Sequence, residues 1–177
     1  MFRTASKRKV RKALDNLTLP DPWDSRKLVE QIAHDRGHPI VLSPVPQHVM
    51  EGKVCGLWVS SDETDYLLYP EDSPSWHIDI VICHELGHML LDHDLEIPVP
   101  AKSGPPTTSI DIEGLSAWLP GLDPDAVRGI LGRSGFSARS EYEAEYLATL
   151  IIDRAVGDIQ DTRHTRMLNT FVRGEDG

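Results

Sequence analysis

Between Trp76 and Leu91 the chain carries apolar residues on almost every side of a helix, so this stretch has to be buried. Ile78, Val81, Ile82, Leu86, Met89 and Leu90 leave it no broad polar face. Yet the same stretch holds His84, Glu85 and His88. On a helix His84 and His88 sit one turn apart, about 40° from each other around the axis. Glu85 falls beside them. Two imidazoles and a carboxylate are costly in such a helix unless they pair or coordinate a metal. The order His84-Glu85-Leu86-Gly87-His88 is the H-E-x-x-H arrangement, in which both imidazoles bind Zn²⁺ and the carboxylate serves as general base. The competing reading is a hydrogen-bonded pair of core histidines beside a surface Glu. One zinc ion accounts for more of the pattern.

A chain of 177 residues, 40% hydrophobic and 26% charged, is long enough for one domain with a substantial core. Its apolar runs are too short to span a membrane, and its first residues lack the apolar segment of a signal peptide. Two cysteines, Cys55 and Cys83, make no disulfide framework. These features predict a cytoplasmic protein. Residues 1–12 carry six cations and no acid, whereas the whole chain is −10, so the remainder carries −16. An acidic body of that size argues against direct nucleic-acid binding. The basic stretch, residues 1–20, is expected to be a solvated, frayed tail.

The domain is expected over residues 21–157. A helix over 25–36 starts behind Asp24 or Ser25 and ends at Gly37. Strands are expected at 40–42, 54–59 and 66–69, the last two forming a hairpin about Ser61-Asp62-Glu63-Thr64. The central helix follows over 76–91. A Pro-rich insertion at about 96–110 cannot be regular structure. Short helices are expected at 111–118 and 124–131, a longer one over 140–156, and a polar tail over 158–177. The fold class is therefore α+β, a small antiparallel or mixed sheet packed on the central helix, with further helices C-terminal to it.

A catalytic zinc needs a third protein ligand. His93 lies about 180° round the helix from His84, so it cannot reach the same ion while the helix continues. Cys83 points about 100° away and reads as core. In the last helix Glu141, Ala144, Glu145, Ala148 and Ile152 fall on one stripe that looks inward. Glu141 as ligand, with Glu145 accepting an imidazole N–H, gives both acids a reason to be there. Glu143 reads as the partner of Ser140 in a capping box. The competing reading of Glu141 is an exposed first-turn acid favoured by the helix dipole.

His84-Glu85-Leu86-Gly87-His88, followed by Glu141-x-x-Ala144-x-x-Leu147-Ala148, resembles the ImmA/IrrE-type zinc metallopeptidases, with Leu147 standing where that family has Phe. The resemblance covers residues 22–156. It implies a zincin-like fold, one Zn²⁺ held by His84, His88 and Glu141, and Glu85 as catalytic base. It further implies a cytoplasmic endopeptidase that cleaves a helix-turn-helix repressor and so relieves transcriptional repression, as in stress responses. A non-catalytic anti-repressor or toxin–antitoxin component with a structural or vestigial zinc site is the alternative. Tyr142, His77 and Arg139 are candidates for the donor that steadies the oxyanion of peptide hydrolysis.

Overall fold

The computed structural model describes residues 2–46, 55–93, 118–119 and 136–157. The insertion at 96–110, the helix expected at 124–131, the polar tail 158–177 and all but Trp118 of the helix expected at 111–118 lie outside the described residues. Among the described residues the fold is mixed α+β, with four helices and one three-stranded sheet. Helix α1 spans Phe2–Asp15 and α2 spans Ser25–Arg36. Strands β1 (Ile40–Val45), β2 (Leu57–Ser60) and β3 (Asp65–Pro70) follow, then α3 (Ser75–Leu90) and α4 (Ala138–Val156). No described helix is long and apolar enough to cross a membrane.

The sheet order is β1-β3-β2, with β1 parallel and β2 antiparallel to the central strand. All six residues of β3 are buried, as its central place requires. Ser61 closes the expected hairpin: its hydroxyl donates to the Thr64 carbonyl at 2.7 Å. Strand β1 runs on through Pro44 to Val45, beyond the expected end at Leu42. A proline lacks the N–H for a ladder bond, but β1 is an outer strand and tolerates it. Strand β2 begins at Leu57, and residue 54 of the strand expected over 54–59 lies outside the described residues.

Asp24 caps α2, its carboxylate accepting from the N–H groups of Arg26 and Lys27 at 2.8 and 3.4 Å. Ser25 is buried and donates to Asp79 of α3 at 2.6 Å, which ties the start of α2 to the central helix. Helix α3 packs along α4 and touches β2 and β3, so it forms the middle of the core. Cys83 is fully buried there.

The first residues are not a frayed tail. Ser6, Val10 and Leu14 recur every fourth position of α1 and are 2%, 0% and 5% exposed, whereas Lys7, Arg8, Lys9, Arg11 and Lys12 are exposed. This amphipathic stripe packs α1 against α4. Arg154 clamps the end of α1, bonding the Leu14 carbonyl and the Asp15 carboxylate, both at 3.1 Å.

At Gly87 the backbones of α3 and α4 approach closely. A β-carbon added there would lie 2.9 Å from both the α-carbon and the carbonyl oxygen of Ala144. A glycine inside a helix costs about 1 kcal/mol relative to alanine, and this close approach is its structural reason. Gly87→Ala should therefore push the two helices apart and destabilise the fold by about 1–3 kcal/mol, despite its better helix propensity. Urea denaturation measures this, and a stabilised variant would refute it.

Candidate metal centre

Helix α3 presents His84 and His88 on one side, and α4 brings Glu141 across to meet them. The two Nε2 atoms lie 3.1 Å apart, and Glu141 Oε2 is 3.3 Å from His84 Nε2 and 3.5 Å from His88 Nε2. These are near the edges of a tetrahedron with metal–ligand bonds of 2.0–2.1 Å, which are about 3.3 Å long. Three donors thus converge on one point with the spacing a single small cation needs. The His88 side chain is 1% exposed, whereas those of His84 and Glu141 are 28% and 47% exposed. The group is closed behind and open in front.

The electrostatics agree with a cation site. For Glu141 burial works against ionisation, but its bonds to His84 and His88 outweigh it and hold the carboxyl down at about 2. For His84 burial favours the neutral ring, yet the bond to Glu141 and the charges of Glu85, Glu141 and Glu145 win and raise its pKa. For His88 burial prevails and lowers it. Glu145 thus acts on His84 through its charge.

Glu85 is 5% exposed, and its pKa is pushed up to about 7. Burial is the main cause. The His84 charge opposes it, Glu141 reinforces it, and a bond from the Trp58 backbone N–H opposes it again. Room for this carboxylate comes from Gly56, just before β2. A β-carbon there would stand 2.5 Å from Val81 Cγ1 and 2.8 Å from Glu85 Oε1.

Glu145 was expected to pair with a ligand imidazole; the ring nitrogen of His88 turned away from the donor cluster meets His93 instead. His93 Nδ1 lies 3.1 Å from Nδ1 of His88, and its Nε2 lies 3.3 Å from Glu143 Oε2. The expectation that His93 points away assumed a continuing helix. Instead α3 ends at Leu90 and Asp92 takes φ 49°, so the His93 N–H returns to the His88 carbonyl at 3.0 Å. This left-handed ending is the Schellman motif, with Asp in the place usually held by Gly.

Glu143 is likewise not part of a capping box. The N-cap is Ser137, whose hydroxyl accepts from the Ser140 N–H at 3.1 Å. Glu143 is 2% exposed and binds Ser6 at 2.5 Å and Arg139 Nε at 2.8 Å. Burial opposes its ionisation, but the bonds from Ser6, Arg139 and His93 keep its carboxyl down at about 2.

Arg139 is thus engaged by Glu143. Tyr142 stacks on Tyr146 with ring centroids 6.0 Å apart, and His77 lies edge-on to Trp76. His77 precedes His84 by seven residues, about 10 Å along the helix axis. A residue not anticipated is Phe136, just before α4, whose ring lies over His88 at 3.6 Å between centroids and 18° between planes. No protein-family model matches this chain, and neither does any curated protein or any solved structure.

Proposed function

We propose that this chain is a zinc-dependent endopeptidase of the ImmA/IrrE type, built on a zincin-like plan. The observation that carries the reading is the convergence of His84, His88 and Glu141 beside a buried carboxylate that titrates near neutrality. Two imidazoles and one carboxylate with an open front suit Zn²⁺ in a catalytic site. When bound, the ion supplies Lewis acidity, which acidifies water and polarises a carbonyl.

The protein's own groups do the remainder. Glu85 takes a proton from the attacking water and delivers it to the departing amine. Its raised pKa suits both halves of that task, because a base near the working pH gives the proton back readily. The Trp58 N–H holds the carboxylate in place. Strand β2 is an outer strand of the sheet and passes next to Glu85, so an extended peptide laid along it would bring a backbone carbonyl to the site. The resemblance in the two motifs supports a helix-turn-helix repressor as the protein cleaved.

Purified protein should carry one zinc per chain and cut such a repressor into discrete fragments, with a chelator stopping the reaction. Absence of any metal and of any cleavage would end this reading. The active form of Glu85 is ionised, so kcat/KM should rise with pH. Its acid limb should fall at or below about pH 7, since a bound cation pulls the carboxyl down from the value burial sets. An acid limb well above pH 7, or one that persists unchanged in Glu85→Gln, would remove Glu85 from the base role.

A further inference from the structure

We infer that His93, Glu143 and the N-terminal helix form a relay that holds His88 in the tautomer whose Nε2 can bind the metal. Resting on the metal-site reading above, it concerns how this chain prepares that site.

Glu143 accepts bonds from Ser6 and Arg139, and Lys9 Nζ stands 3.6 Å from its other oxygen. A carboxylate held this way is an acceptor only, so the proton between it and His93 sits on His93 Nε2. A neutral His93 then has a bare Nδ1, which accepts a hydrogen bond from the Nδ1–H of His88 across 3.1 Å. The lone pair of His88 is thereby left on Nε2, the atom that meets His84 and Glu141. Along the chain from Glu143 to His88, with His93 neutral, reversing either ring puts two protons or two lone pairs face to face, and at the other end a cation takes up the Nε2 lone pair that would otherwise face Glu141.

The relay also fixes the plane of the ring. His88 is gripped by His93 from one side and covered by Phe136 on its face. Helix α1 anchors the far end: Ser6 and Lys9 both hold Glu143, and Lys9 also donates to the Leu91 carbonyl at 2.6 Å, beside the turn that carries His93. Two residues from the start of the chain therefore converge on the support of the metal ligand. Their other available role is plain packing, which would not depend on donors and acceptors.

The test is zinc affinity, measured by competition with a chromophoric chelator on full-length protein whose fold is checked by circular dichroism. His93→Leu removes the acceptor for His88 and should weaken zinc by about 10–100-fold. His93→Gln restores an acceptor and a donor and should stay within about threefold of wild type. The double variant Ser6→Ala/Lys9→Met keeps His93 and Glu143 but loosens the anchor, and should weaken zinc by about three- to tenfold. If His93→Leu does not fold, the double variant carries the test alone. Wild-type affinity in His93→Leu, or equal losses in His93→Leu and His93→Gln, would overturn the relay while leaving the metal site standing. Wild-type affinity in the double variant would remove α1 from it. A wild-type protein that binds no zinc would overturn the metal site itself, and the relay with it.

Discussion

Glu85→Gln is expected to keep its zinc and lose peptide hydrolysis, with kcat lowered by about 10²–10⁴-fold, the usual contribution of a general base. Gln has nearly the same shape and can still accept the Trp58 N–H, so the site around it should not rearrange. What it cannot do is take a proton from water. The same substitution should stabilise the metal-free protein in alkaline solution. A carboxyl whose folded pKa is about 7, against an ordinary 4.5, favours folding in its protonated form; that benefit fades as pH rises through 7. At pH 8 Glu85→Gln escapes this penalty, and the gain should be on the order of 2–3 kcal/mol. Activity lost and stability gained at one position mark a residue kept for chemistry. A binding module with a structural zinc would show the stability change and no loss of function, because partner capture needs no proton transfer.

The helix that carries this residue was legible in the sequence because its demand is unusual: apolar on all sides, yet holding His84, Glu85 and His88. Gly87 of that helix has Ala144 as its close neighbour. Glu141 was found from its place one turn before the Ala144–Ala148 stripe. The same stripe misled on its two companions. The buried face of α4 is Glu143, Ala144, Leu147, Ala148, Ile151 and Ile152, so Glu143 is the deepest acid and Glu145 lies at the margin. Leu147 and Ile151, four and eight residues after Glu143, were the available signal. Helix α1 was hidden for a related reason. Six cations drew attention away from Ser6, Val10 and Leu14, whose spacing is that of a packed face. His93 was missed because an Asp, not a Gly, makes the left-handed turn after α3, and such an ending has no strong sequence mark.

Glu141→Ala should separate the metal from the fold most clearly, because the Glu141 side chain is 47% exposed and its loss leaves no sealed cavity. His88 is a poorer probe: it is 1% exposed, covered by Phe136 and bonded to His93, so its removal would damage packing together with coordination. Deleting one of three donors should weaken zinc by more than about 100-fold, beyond the loss expected for a residue that only supports a ligand. Binding to the folded state alone stabilises by RT ln(1 + [L]/Kd), about 4.1 kcal/mol at a thousand times Kd. At that same zinc concentration a 100-fold weaker variant gains only about 1.4 kcal/mol. For a domain of this size each kcal/mol moves Tm by about 2–4 °C, so zinc should raise wild-type Tm by about 8–16 °C and the variant by about 3–6 °C. Without zinc the two proteins should melt close together, since a half-exposed ion pair adds little. Equal zinc-induced shifts in both would mean that the cation binds elsewhere, and the three converging donors would then be only a hydrogen-bonded cluster.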